Sequence, residues 1–245
     1  MKVLAGQIAL ETKLFLRRKD ELFWNLAFPM FFMVLYGFIY GNTMWGEIKA
    51  IDYMFPGIIV MALMVNGIMV SATVFVEERG KGIYRRLSLT PLKRQTIIGA
   101  QILHRYIVTL IQTLLLLAVG VFGFKVSIVG NYFFFWLILT FGSLCFLSIG
   151  FALATLIKST RSATPICMIV FFMMLFLGGV FFPLNIMPDF LTFIAKALPS
   201  THLNDALRLV VIEGASLGSA WLELLVVGGW FIVSLGLSIK FFRWE

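Results

Sequence analysis

The chain has 245 residues, of which 60% are hydrophobic and only 13% are charged, and its mean hydropathy is +0.98. Water-soluble domains are about 45–50% apolar and about 25% charged, so this composition excludes a soluble globular protein. The formal net charge of +8 suggests a nucleic-acid partner at first, but the basic residues cluster in alternate loops between apolar segments. That distribution is typical of membrane topology rather than of a phosphate-binding surface, and we expect no nucleic-acid partner.

Residues 1–22 are predicted to form an amphipathic helix that lies on the membrane surface. Lys13 and Arg17 share one sector of a helix with 100° per residue, and apolar residues occupy another sector. The amphipathicity is incomplete, because Glu11 and Arg18 intrude on the apolar sector. A basic interfacial helix of this kind suits the anionic cytoplasmic leaflet.

Six apolar segments follow, each of roughly 17–25 residues, which is enough to cross a hydrocarbon core of about 30 Å as a helix. They lie at about 22–40, 54–76, 106–124, 132–157, 164–182 and 220–239. The third helix is expected to begin earlier, near Gln95, because His104 and Arg105 interrupt its apolar pattern. We expect this pair to reach the lipid headgroups. The predicted fold class is an all-α membrane protein, with residues 23–245 as one six-span transmembrane domain.

The basic residues are distributed unequally between the two sides of these spans. Residues 1–22, 77–105, 158–163 and 240–245 together hold sixteen Lys and Arg, whereas the opposite side holds four. Cytoplasmic loops carry the excess of basic residues in membrane proteins. We therefore predict a multi-pass protein of the plasma or inner membrane with both termini in the cytoplasm.

The cytoplasmic loop at residues 77–94 is the longest polar segment between two apolar runs. Gly82 loosens its first part, and Pro91 disfavours a helical conformation for the residue before it. Between them, Ile83 and Leu87 are four residues apart, which predicts a short amphipathic helix. Such a helix would present a docking surface to a soluble partner.

The outer loop at residues 183–218 also has a helical pattern. Apolar residues recur at helical spacing over 190–198 and again over 203–211, and Pro199 separates the two groups. We predict two short helices between the fifth and sixth spans, with apolar faces that form a lid dipping into the outer leaflet.

Catalytic and metal-binding motifs are absent from the sequence. The only Gly-Lys pair is followed by Gly82 rather than Ser or Thr, so there is no G-x-x-x-x-G-K-[ST] phosphate loop. The two histidines, His104 and His202, are far apart in sequence, and the only acid well inside an apolar run is Glu223. Ion-coupled carriers need ionisable groups in mid-membrane. We therefore expect no catalytic residue, no metal site and no cofactor in this chain, and a separate partner as its source of energy.

Two groups of loop residues resemble one family, the type-2 ABC export permeases. The cytoplasmic loop of that family resembles Glu78-Arg79, Gly82, Arg86-Leu87 and Thr90-Pro91-Leu92. The family's outer-loop sequence is similar to Gly178-Gly179-Val180-Phe181-Phe182-Pro183-Leu184, Met187-Pro188, Leu198-Pro199 and Asp205-Ala206-Leu207-Arg208. With the six spans, the resemblance covers essentially the whole chain. It departs at Arg85, where the family often has an acid, and at His202, where Tyr is common.

The resemblance implies a half-transporter for drug efflux. Two such subunits, here a homodimer, would each bind one of two separate ABC ATP-binding subunits, which hold the ATP and Mg²⁺. The residues that couple to the ATPase would be Glu78, Arg79, Gly82, Ile83, Arg86, Leu87, Thr90 and Pro91. The second and fifth spans would line the export pathway through Asn66, Met69, Thr73, Met168, Phe172 and Leu175.

Several alternatives stay open at this point. A pathway rich in Met and Phe suits drugs or other hydrophobic or amphipathic compounds, because these side chains repack easily. Export of a lipid-linked glycan or a peptide is the alternative within the class, and an ion channel or a membrane enzyme is the alternative outside it. Asn66 could equally form a hydrogen bond between helices, and the Met and Phe side chains could face lipid or pack in the interior.

Overall fold

The computed structural model describes residues 2–87, 94–181 and 187–241. Within these ranges, six helices are long and apolar enough to cross a membrane, as the sequence predicts. The prediction of an all-α membrane protein is confirmed. The predicted coupling residues Thr90 and Pro91 lie outside the described residues, and so does the side chain of Leu87.

The helices are labelled in chain order, and six of them are the spans. They are α1 (Lys2–Arg17), α2 (Lys19–Tyr40, the first span), α3 (Ala50–Gly80, the second span), α4 (Ile83–Leu87), α5 (Arg94–Ala118, continued by a π-helical turn at Val119–Gly123, the third span), α6 (Tyr132–Leu156, the fourth span), α7 (Thr160–Leu177, the fifth span), α8 (Asp189–Ala195), α9 (Pro199–Val211) and α10 (Trp221–Phe241, the sixth span). A short antiparallel ladder, β1 (Met44–Trp45) with β2 (Ile48–Lys49), closes the turn between α2 and α3.

The predicted surface helix over residues 1–22 is divided between two elements. α1 ends at Arg17, the backbone of Arg18 is extended, and the helix that starts at Lys19 continues into the first span. α1 packs along α5. The break separates the amphipathic α1 from the helix that enters the bundle, a few residues before the sequence becomes apolar.

The second span forms the centre of the bundle. Of its most apolar 18-residue window, 94% is buried, compared with 17% for the sixth span. It contacts the first, third, fourth and fifth spans as well as α9. A Cβ atom added to Gly150 of α6 would overlap the carbonyl oxygen of Gly67 of α3. The backbones of the second and fourth spans therefore touch, as small residues allow in membrane helices.

The two outer helices differ from the predicted lid. α9 is packed inside the bundle against α3, α6 and α10, with Leu203, Leu207 and Val210 buried. Only α8 keeps large exposed apolar side chains, of which Phe193 is 80% exposed. The amphipathic pattern of α9 is correct, but its apolar face meets the protein interior rather than the outer leaflet.

Candidate functional site

The short helix α4 follows the second span directly. α3 ends at Gly80, Gly82 adopts a φ of 67°, and α4 begins at Ile83. A left-handed backbone at Gly82 has no steric cost because the residue has no Cβ. The structure thus contains the predicted short helix in the loop, at the end of the bundle that we call the α4 end.

Tyr84 anchors α4 to the bundle. Its side chain is 3% exposed, and its ring packs on Phe75 with the ring centroids 4.8 Å apart. The hydroxyl donates to Glu78 Oε2 at 2.9 Å and accepts from Gln101 Nε2 at 2.9 Å. Burial raises the pKa of Tyr84, and the neighbouring Glu78 carboxylate raises it further, so the phenol stays a hydrogen-bond donor.

The opposite side of α4 is basic. Arg85 and Arg86 are exposed, whereas Ile83 is half-buried. Arg86 Nη2 donates to the carbonyl oxygen of Lys81 at 2.9 Å, which holds the guanidinium at the start of the helix. Among the described side chains of α4, the exposed ones are therefore cationic.

Glu78, one of the residues predicted to couple to the ATPase, is buried inside the protein rather than exposed on its surface. Its carboxylate accepts hydrogen bonds from Arg18 Nη2 at 3.1 Å, Gln101 Nε2 at 3.0 Å and the Tyr84 hydroxyl. A buried carboxylate is tolerated only when it is paired and hydrogen-bonded. These three donors meet this condition. They connect Glu78 of the second span to Arg18 at the end of α1, to Tyr84 of α4 and to Gln101 of the third span.

A second buried ion pair lies beside the first. Arg105 Nη1 donates to Glu21 Oε1, and Arg18 Nη1 lies 3.5 Å from Glu21 Oε2. Arg18 thus bridges the carboxylates of Glu78 and Glu21. The sequence interpretation placed Arg105 and His104 at the headgroups, but both are buried, and His104 packs edge-on against Phe15 at 5.8 Å. We call Arg18, Glu21, Glu78, Tyr84, Gln101 and Arg105 the polar cluster.

Two buried asparagines extend the polar cluster into the spans. Each lies in a π-helical turn, Asn25 in Phe23–Ala27 and Asn66 in Val65–Val70. Asn66 Nδ2 donates to the carbonyl oxygen of Arg105 at 2.9 Å and to Thr109 Oγ1. Of the two roles left open for Asn66, the geometry favours the bond between helices, because the side chain ties the second span to the third.

Arg79 ties the end of the second span to another part of the bundle. Its guanidinium donates to the carbonyl oxygen of Ile157, in the turn between the fourth and fifth spans. Glu77 forms an exposed ion pair with Lys81 one turn further along. Glu78 and Arg79 are adjacent in sequence. Glu78 therefore binds the end of the second span to the polar cluster, and Arg79 binds it to the turn between the fourth and fifth spans.

The structure brings some of the predicted pathway residues together and separates others. A cleft of about 290 Å³ between the first, second and fifth spans is lined by Met69 and Thr73. Phe172 is exposed on the fifth span and Met168 is half-buried beside it. Leu175 is fully packed in the core, so it cannot touch a substrate in this conformation.

Sequence reasoning missed Arg18, Glu21 and Gln101 as members of the polar cluster. Arg18 carried a signal, since it interrupts the apolar sector of the first helix, and so did Arg105 within the third span. In a mostly apolar chain, a charged residue at an apolar position indicates a buried partner.

A bundle of six membrane-length helices defines a multi-pass α-helical membrane protein. Residues 8–212 match the family model described as the ABC-2 type transporter, and the chain belongs to that family. The resemblance read from the two loops is thereby confirmed.

Three relatives show how far the similarity extends. The putative transport permease YvfS of Bacillus subtilis is 25% identical over 247 residues, covering 99% of this chain and 98% of its own length. ABC transporter G family member 20 of Dictyostelium discoideum is 26% identical over 203 residues, or 82% of this chain and 27% of its own length. The probable multidrug ABC transporter permease YbhR of Escherichia coli is 24% identical over 170 residues, or 69% of this chain and 46% of its own length. The chain is therefore a membrane-spanning member of the ABC-2 type transporter family.

Proposed function

We propose that this chain is the membrane-spanning half of an ATP-driven exporter, working as a homodimer with two separate ATP-binding subunits. The observation that carries the proposal is the attachment of α4: Tyr84 fixes it to the polar cluster, whose other members lie at the start of α2, in α3 and in α5. A force applied to α4 from outside would act on these three helices at once. Membership of the ABC-2 family supports an ATP-binding partner in general.

The exposed side of α4 is the proposed docking surface for the ATP-binding subunit. Gly82, Ile83 and Arg86 would contribute to it directly, together with Leu87, Thr90 and Pro91 from the sequence pattern. Glu78 and Arg79 would not touch the partner but would support the docking surface from inside the bundle. Glu78 accepts a hydrogen bond from Tyr84 of α4, and Arg79 donates one to the carbonyl oxygen of Ile157. The cationic surface of α4 would fit an acidic surface on the partner.

The proposed substrates are drugs or other hydrophobic and amphipathic compounds. The cleft lined by Met69 and Thr73 would form the entrance on the α4 side, and Met168 and Phe172 would continue the pathway along the fifth span. Asn66 and Leu175 would support the pathway from within, since both are buried. The name of YbhR, a probable multidrug permease, favours this substrate class.

The direct test is reconstitution of the tagged chain with the ATP-binding subunit that co-purifies from its own host. We expect ATP hydrolysis only when that subunit is present, and ATP-dependent movement of a fluorescent hydrophobic dye across the liposome membrane. ATP hydrolysis by the chain alone, or retention of the dye on its original side, would contradict the proposal. Charge reversal by Arg86→Glu should release the ATP-binding subunit, while Lys13→Glu, an equal change on the exposed side of α1, should not.

The proposed orientation has its own test. Single cysteines replacing Lys93 and Asp205, in a background without Cys145 and Cys167, should react with an impermeant reagent from opposite sides of the membrane. The expectation rests on the sixteen basic residues on one side against four on the other. Labelling of both positions from the outside would show that the orientation is wrong.

A further inference from the structure

A polar cleft at the α4 end of the bundle contains Arg79, and the transport proposal gives the cleft itself no role. It has a volume of about 690 Å³ and forms where the ends of the second and sixth spans meet the turn between the fourth and fifth. Arg79 and Lys158 line it, together with the hydroxyls of Thr155 and Thr160. None of the described residues that line it is acidic. Neither Arg79 nor Lys158 forms an ion pair with a residue that the structure describes.

An apolar groove lies next to this cleft, between the third, fourth and sixth spans. Its volume is about 360 Å³, and Leu144, Phe231 and Leu235 are among its lining residues. The two serines in its wall are satisfied internally, because Ser238 Oγ donates to the carbonyl oxygen of Ser234 at 2.8 Å and Ser148 Oγ to that of Cys145 at 2.7 Å. The groove therefore presents hydrocarbon to whatever fills it.

The cleft and the groove are adjacent along two helices. Phe75 lines the groove and Arg79 the cleft, four residues apart on α3. Phe151 and Thr155 are related in the same way on α6. One helical turn is about 5.4 Å, so the polar cleft lies about one turn beyond the groove, toward the helix ends.

The dimensions match one leaflet of a bilayer. On α10 the groove extends from Phe231 to Ile239, and eight residues of helix rise about 12 Å, close to half of a hydrocarbon core of about 30 Å. Ile239 is largely exposed on the outer surface of the bundle, so the groove opens where lipid chains surround the protein. A cationic cleft at the end of an apolar groove has the polarity and length of a phospholipid.

We propose that this composite site binds one anionic phospholipid, with its phosphate at Arg79 and Lys158 and one acyl chain in the groove. The phosphate would supply the negative charge that the described residues around the cleft lack. Basic pockets between membrane helices bind anionic headgroups in this way. A zwitterionic lipid would bring its own cation to the cleft and would bind more weakly.

The test is native mass spectrometry of the detergent-purified full chain with added phosphatidylglycerol or phosphatidylcholine of the same acyl chains. We expect one retained phosphatidylglycerol per chain and a clear preference over phosphatidylcholine. Lys158→Gln should lower phosphatidylglycerol retention about fivefold, the effect of one basic residue at an anionic headgroup. Lys196→Gln, an equal change at an exposed lysine near α9, should leave it unchanged.

A second pair of variants tests the groove. Leu235→Trp places a larger side chain in the groove and should lower retention about tenfold, the effect of displacing two acyl methylene groups. Leu237→Trp is the matched control, because Leu237 has the same 39% exposure as Leu235 but does not line the groove. Equal retention of the two lipids, or equal behaviour of the two tryptophan variants, would overturn the proposal.

Two other occupants of the cleft would give different results. If inorganic phosphate displaces phosphatidylglycerol and Leu235→Trp has no effect, the cleft binds free phosphate and the lipid proposal is wrong. If Lys158→Gln leaves lipid retention unchanged but releases a co-purified ATP-binding subunit, the cleft belongs to that interface, and the lipid proposal is again wrong while the transport proposal stands.

Discussion

The two ends of the second span are held in the bundle by different interactions. At the α4 end, Glu78 and Tyr84 belong to a buried network of ion pairs and hydrogen bonds that includes Arg18. In its middle the span is held by close approach of backbones, where Gly67 meets Gly150, and toward the other end a Cβ added to Gly57 would overlap the carbonyl oxygen of Val180. The buried Asp52 carboxylate at that end accepts hydrogen bonds only from the backbone N–H and the hydroxyl of Ser127. Ion pairs hold the α4 end, whereas close packing and neutral hydrogen bonds hold the rest of the span.

The α9 end adds hydrogen bonds to backbone groups. Asn204 Nδ2 and Arg208 Nη2 both donate to the carbonyl oxygen of Gly179, at 2.9 and 3.1 Å. The Arg208 guanidinium also lies 3.9 Å above the ring of Tyr53. These contacts join α9 to the second span and to the end of the fifth span without a buried carboxylate.

The difference suits the proposed mechanism. Small residues in close contact permit one arrangement, since any shift produces overlap or a void. Buried ion pairs are stable only in good geometry, and a charged side chain that loses its partner is left buried and uncompensated. The α4 end can therefore change between discrete pairings when a partner acts on it, while the other end keeps the spans in register.

The largest effect is expected from breaking one ion pair of the polar cluster. Arg105→Met should destabilise the protein by about 3–5 kcal/mol, because it leaves Glu21 buried with only the more distant Arg18. The double variant Glu21→Leu/Arg105→Met should recover most of the loss. The measurement is SDS-induced unfolding followed by circular dichroism, and Arg105→Met with normal stability would show that the α4 end does not depend on charge.

Where the second span packs closely against the fourth, stability should depend on side-chain size alone. Gly150→Ala should cost about 1–3 kcal/mol, because the added methyl group overlaps the backbone of the second span. Gly228→Ala is the control, since a Cβ there meets open space. The loss should be independent of pH and salt, and a strong salt dependence would contradict the distinction between ion pairs at the α4 end and close packing elsewhere in the span.

A smaller effect on stability, with a larger one on coupling, is expected from Tyr84→Phe. The ring would still pack on Phe75, and Glu78 would keep Arg18 and Gln101. The loss should be about 1–2 kcal/mol, because the hydroxyl gives up its bond to Glu78 and its bond from Gln101. ATP hydrolysis by a bound partner should continue while dye export falls. If export and hydrolysis keep their normal ratio in this variant, the Tyr84 hydroxyl does not transmit the movement of α4.

The spans were predictable because their length and apolar content match the thickness of a bilayer, and the predicted bounds differ from the observed ones by only a few residues. The polar cluster was not predictable from the sequence, because Arg105 pairs with Glu21 at a sequence separation of 84 residues. No local pattern encodes such a pairing. The position of α9 was missed for a related reason: lipid and protein interior are both apolar, so an amphipathic pattern does not distinguish them.

The smallest effect tests whether the charge network includes α1. Burial raises the pKa of Glu11 above its usual 4.5, the Glu78 carboxylate raises it further, and Arg105 opposes both. An acid with a raised folded-state pKa binds more protons when folded. The contribution of Glu11 to stability is therefore most favourable below about pH 4.5 and declines as the pH rises through its folded-state pKa. Glu11→Gln removes the charge at nearly constant shape, and its melting temperature should exceed that of the native chain at pH 7. The two melting temperatures should converge as the pH falls below 4.5.

The control is Asp20→Asn, at an exposed carboxylate near the start of the first span, which should change the melting temperature little. A lower melting temperature for Glu11→Gln at pH 7 would mean that attraction to Arg105 outweighs burial, and that Glu11 is a stabilising member of the network.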